Sequence, residues 1–77
     1  MEQPRDEHER GLFIARLLEL IQRTTAAIAR HQAIEEADRD RFAIQQYTEL
    51  RERYLEELTQ LLEDAGLDVH LHVRQAA

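Results

Sequence analysis

The side chains whose type and spacing come nearest to ligand chemistry are His70 and His72, within "GLDVHLHVR" at residues 66 to 74. Imidazoles at i and i+2 leave the same side of an extended chain, and imidazole is a common ligand of Zn²⁺. One pair supplies two ligands where a closed zinc site takes four, so a metal site of this kind needs a second copy of the chain. No carboxylate stands in an evident position to orient either ring. The plain alternative is a solvated polar strand face. The other histidines, His8 and His31, are isolated. His31 falls inside an apolar stripe and is expected to be partly buried and hydrogen-bonded.

Catalytic constellations are missing. The chain has no Ser or Cys to serve as a nucleophile and no glycine-rich phosphate loop, and "HERGL" at residues 8 to 12 lacks the second His of a His-Glu-x-x-His site. Carboxylates abound, Glu56 and Glu57 among them, but on an exposed helix face they are simply solvated. No enzymatic activity is expected, and no cofactor apart from Zn²⁺ in the alternative above.

The charge balance narrows the partners. Sixteen acidic residues stand against ten basic ones, all Arg, for a net charge of −6. That sign opposes the phosphate attraction behind most nucleic-acid affinity and opposes anionic lipid. Neither nucleic acid nor membrane is expected as a partner. The start of the chain, "MEQPRDEHER", carries no apolar signal core, and no apolar run approaches the roughly 20 residues that span a bilayer. With no Cys to indicate an oxidising compartment, a cytoplasmic protein is the expectation.

The elements that position these residues are helical. Ile14, Ile21 and Ile28 recur at heptad position a, with Leu17 at d, Leu18 at e, and Phe13, Leu20, Ala27 and Ile34 at g, one wide stripe on an α-helix. Pro4 and the acidic Asp6, Glu7 and Glu9 suit a helix start near residue 5, which Gly11 weakens. A second stripe runs through Ala43, Ile44, Tyr47, Leu50, Tyr54, Leu55, Leu58, Leu61, Leu62 and Ala65 and stops at Gly66, the residue expected just past a helix C-terminus. Between them "EEADRDR" has no large apolar side chain and breaks the phase of the stripes, so it predicts a turn at about 36–40 with Asp38 or Asp40 as N-cap. The competing arrangement is one continuous helix forming a long coiled coil. The predicted elements are therefore a helix over about 5–35, a helix over about 40–65, and a strand over about 67–74, where Leu67, Val69, Leu71 and Val73 alternate with Asp68, His70, His72 and Arg74.

Polar residues inside the stripes have structural explanations. Thr24 and Thr25, at d and e, form a polar layer whose hydroxyls can bond back to the carbonyl four residues earlier. Tyr47 and Tyr54 are expected as core or interface aromatics with the hydroxyl at the surface. The pairs Asp6/Arg10, Glu19/Arg23, Glu35/Arg39 and Glu49/Arg53 suit an exposed helix face.

With 77 residues the chain makes one domain, near the size at which a single core needs help. An antiparallel two-helix hairpin about 40 Å long would leave part of such wide stripes uncovered, whereas two hairpins close a four-helix bundle. The expected fold is thus all-α, a helical hairpin with a short C-terminal β-strand, completed as a homodimer or higher oligomer. Its interface is expected to draw on Ile14, Leu17, Leu18, Ile21, Ile28, Tyr47, Leu50, Tyr54, Leu58, Leu61, Val69, Leu71 and Val73.

The strand has three possible destinations. It can pair antiparallel with its own copy about Leu71, which sets Asp68 against Arg74, His70 against His72 and Val69 against Val73. It can fold back on its own helices, or add to a sheet edge of another protein. The functional expectation is a small protein–protein interaction module, an adaptor, scaffold or regulatory subunit, with metal binding through His70 and His72 as the alternative.

Overall fold

The computed structural model describes residues 7–74, which form two helices joined as a hairpin and followed by an extended tail. Helix α1 spans Glu7–Gln32 and helix α2 spans Arg41–Asp64. The continuous-helix arrangement does not occur. The expected start near residue 5, with Pro4, Asp6 and the Asp6/Arg10 pair, lies outside the described residues.

Helix α1 carries Glu7 and Glu9 in its first turn and Arg30 and His31 in its last, each sign at the end of the helix dipole that favours it. It ends three residues before the expected 35. No glycine marks that end, and the chain instead turns on a guanidinium. Arg39 donates to the carbonyl oxygen of Ile34 from both Nε (3.2 Å) and Nη2 (3.0 Å). This use of Arg39 replaces the expected Glu35/Arg39 pair. A single 3₁₀ turn at Glu36–Asp38 follows, closed by the Asp38 amide donating to the Glu35 carbonyl at 2.9 Å. Of the two candidate N-caps, Asp40 is the one used: its Oδ1 accepts from the Ala43 amide at 2.9 Å, satisfying one of the open donors of the α2 first turn.

The core lies toward the open end of the hairpin. Leu17 and Ile21 of α1 meet Leu58 and Leu61 of α2, with Phe13, Ile14, Tyr54, Leu55 and Leu62 packed around them. Nearer the turn, Ala27 and Ile28 are also buried. Thr24 is buried among these apolar residues because its hydroxyl has local acceptors, the carbonyls of Leu20 and Ile21, both at 3.0 Å. Thr25 is tied across the hairpin, accepting from Arg51 Nη1 at 3.3 Å.

Helix α2 closes with a Schellman motif. The Gly66 amide donates to the Glu63 carbonyl (2.9 Å) and the Leu67 amide to that of Leu62 (3.0 Å). Gly66 has φ of 90°, a left-handed conformation that side chains with a Cβ resist. This reversal sends the tail back toward the helices.

The predicted strand over 67–74 does not form as a strand within the chain. No residue of that segment sits in a ladder, because there is no second strand among the described residues to pair with. Its alternation survives nonetheless. Val69, Leu71 and Val73 are half-buried while Asp68, His70, His72 and Arg74 face solvent, and Leu71 and Val73 pack on the Leu17–Ile21–Leu58–Leu61 core. Leu67 breaks the pattern and is exposed.

The molecule measures 48 × 22 × 14 Å with a radius of gyration of 14.7 Å, against about 11.5 Å for a globular chain of this length. It is one helical layer with a tail laid upon it. No helix among the described residues is long and apolar enough to cross a membrane.

Candidate functional site

The tail offers a free backbone edge. Apart from the Leu67 amide in the helix cap, no backbone group of the tail hydrogen-bonds to another described residue. Extended backbone normally pairs its donors and acceptors or leaves them to water, and an unpaired extended edge is a template for another strand. Here Leu71 and Val73 hold the segment in place, so the edge is presented on a fixed support.

His70 and His72 project from the solvent side of this segment, where both are exposed. No group of three or more His, Cys, Asp or Glu able to hold a metal occurs among the described residues, so a single chain contributes two imidazoles here. Asp68 and Arg74 flank them on the same side. The four solvent-facing residues thus read acid, imidazole, imidazole, base along the edge.

The residues expected at an oligomer interface divide into two groups. Leu17, Ile21, Ile28, Leu58 and Leu61 are buried inside the chain and form the hairpin's own core. Ile14, Tyr47, Leu50, Tyr54, Val69, Leu71 and Val73 are half-buried, and Leu18 is exposed. Burial of the first group follows from antiparallel pairing, which turns the centres of both stripes toward each other and leaves only their flanks for anything else.

The large apolar residues left open are mostly ones the stripe pattern did not single out as contacts. Leu12 is 59% exposed, Leu67 51%, Leu18 47%, Ile34 41% and Phe42 68%. Leu12, Leu18 and Leu67 lie toward the tail end, while Ile34 and Phe42 flank the interhelical turn. In Phe42 the missing signal is positional: it sits one residue into α2, outside the apolar arc.

His31 lies against Tyr47 with ring centroids 5.7 Å apart and planes 34° from parallel. It is half-buried as expected, but its Nδ1 is buried without a hydrogen-bond partner among the described residues, and the ring contact is the interaction seen there. Arg51 Nε and Glu57 Oε2 are likewise buried without partners. Tyr54 packs at the core margin, as a core aromatic does. On the outer surface Glu19 pairs with Arg23 as expected, whereas Glu49 accepts from Gln45 at 3.3 Å and Glu36 pairs with Arg41 at 2.9 Å.

The fold is that of an α-helical hairpin. Compared with known proteins, the chain matches no protein-family model, no curated protein and no solved structure.

Proposed function

We propose that this protein is a small non-enzymatic protein–protein interaction module, an adaptor, scaffold or regulatory subunit, that acts as a homodimer. The observation that carries the proposal is the supported tail, whose apolar side rests on the core while its backbone edge stays unpaired.

A second copy of the chain is the partner whose chemistry fits that edge. Antiparallel pairing centred on Leu71 places Asp68 opposite Arg74 of the partner subunit at both ends, and the matched apolar residues Val69 and Val73 fall on the inner side. Opposite charges and apolar pairs directly across a ladder each favour pairing by roughly 0.2–1 kcal/mol. The inner side of such a two-stranded ribbon lies across both hairpins, roofing a four-helix unit in which each single layer gains a second.

The hairpin is a single helical layer 14 Å thick at its thinnest, and a partner copy would give it the second layer that a packed domain normally has. Leu12, Leu18 and Leu67 are large apolar side chains left exposed and available to such a contact.

Light scattering coupled to size-exclusion chromatography tests the reading on four proteins: the parent, Asp68→Arg, Arg74→Asp, and the double exchange. A dimeric parent, weakened by either single change and restored by the double, is the expected pattern. Four proteins of equal dimer mass would overturn the register, and a monomeric parent would overturn the dimer itself.

A further inference from the structure

We infer that the paired tails form a binding site for a divalent transition-metal ion of the imidazole-preferring class, such as Zn²⁺, with ligands from both copies of the chain. The inference rests on the tail pairing proposed above and adds a ligand to the same surface.

Alternate residues of an extended segment project to one side about 6.6–6.8 Å apart, and residues directly opposite across an antiparallel pair have Cβ atoms about 4.5–5.5 Å apart. With Leu71 on the twofold axis, His70 faces the partner subunit's His72, and His72 faces the partner subunit's His70. Four imidazoles then surround the axis on the solvent side, within the reach of Zn–N bonds of about 2.0–2.1 Å. Both rings of the chain already point outward, clear of the core, and both are exposed. The charges around them also suit a cation. Asp68 and the partner subunit's Arg74 offset each other at each end, so no uncompensated positive charge flanks the centre.

Half of this set exists in each chain, and no third His, Cys, Asp or Glu completes it among the described residues. An ion that needs both copies therefore couples binding to dimerisation. If it binds the dimer alone, raising its free concentration to ten times its dissociation constant tightens the dimer about tenfold. Imidazole ligands bind metal in their neutral form, so the experiment belongs in neutral or mildly alkaline buffer.

The test is sedimentation-velocity measurement of the dimer dissociation constant of the full chain with EDTA and with Zn²⁺. It is repeated for His70→Ala/His72→Ala, with isothermal titration of Zn²⁺ into the parent and into Asp68→Arg. The expected result is a dimer tightened at least tenfold by Zn²⁺ in the parent and unchanged in the double-His variant. Zn²⁺ affinity should also be at least tenfold weaker for Asp68→Arg, which keeps both histidines but not the pairing. A parent dimer that ignores Zn²⁺ would overturn the metal site and leave the pairing intact. Equal Zn²⁺ affinity in parent and Asp68→Arg would reduce the site to a single-chain chelate and overturn the shared one. A parent that stays monomeric with and without Zn²⁺ would overturn both the pairing and the metal site.

Discussion

At the open end of the hairpin, Leu17, Ile21, Leu58 and Leu61 close around one another with Leu71 and Val73 packed against them, and Leu17 is left only 1% exposed. Beyond the buried Ala27 and Ile28, toward the turn, Ile34 and Phe42 face solvent and a His31–Tyr47 ring pair bridges the helices. Both ends are made from the same amphipathic stripes. They differ because two helices lying side by side cover only the centre of each stripe, and a third element is needed to cover the flanks. The tail supplies that element at one end. At the other nothing among the described residues does, and polar devices hold the geometry: the Arg39 guanidinium on the Ile34 carbonyl and the Asp40 cap.

Core truncation should expose this difference most strongly. Leu17→Ala is expected to cost about 3 kcal/mol through lost burial and the cavity left behind, while Phe42→Ala, with its ring mostly in water, should stay within about 0.5 kcal/mol. Urea denaturation at one fixed protein concentration checks both, since a dimer's stability depends on concentration. Equal losses would erase the contrast between the ends.

Ending the chain at Gly66 removes Leu71 and Val73 from the core. Two half-buried aliphatic side chains correspond to about 2 kcal/mol, and hydrogen exchange should show the loss at Leu17 and Leu58 before Ile28. Uniform loss along both helices would mean that the tail does not act on one end.

Smaller effects are expected at the two polar closures. Gly66→Ala forces a Cβ into a left-handed conformation, against its own backbone, and should cost about 1 kcal/mol, with no further clash because no more distant residue lies within 4 Å of the added carbon. Asp40→Ala removes the α2 cap and should also cost about 1 kcal/mol. Thermal unfolding monitored by circular dichroism resolves both. The smallest change is expected for Arg51→Met, which keeps the buried stem and gives up the long 3.3 Å bond to Thr25 Oγ1 together with an Nε buried without a partner among the described residues; loss and relief offset, for a net effect within about 0.5 kcal/mol.

Much of this contrast was legible in the residue pattern. The two stripes, the stop at Gly66 and the back-bonded Thr24 all follow from local rules of spacing and hydrogen bonding, and each is where those rules put it; for the N-cap the rules left Asp38 and Asp40 open, and the structure uses Asp40. The alternation of Leu67, Val69, Leu71 and Val73 identified the covered side of the tail at its last three members and failed at Leu67, which is exposed. What the pattern could not give was the allocation of burial. A heptad position states that a residue is on the apolar arc, but whether Leu17 meets its own chain or another depends on which helices pair. The turn was harder still, because its key residue, Arg39, works through a carbonyl five residues back, a contact that no propensity encodes. The histidines and their solvent-facing side were visible in the alternation, and the packing of Leu71 and Val73 beneath them on the chain's own core came from the fold.

In the proposed dimer the tail is a strand edge whose complement is its own copy. Because the chain has no cysteine, this pairing can be tested by mixing two single-cysteine proteins, His70→Cys and His72→Cys, and oxidising them. In the proposed register these two positions face each other at a separation near that of a disulfide, whereas like positions lie diagonally at about 7–8 Å, beyond its reach. The mixed 70–72 disulfide is expected to dominate by mass spectrometry. Equal amounts of like and mixed disulfides, or no cross-link at all, would contradict the pairing.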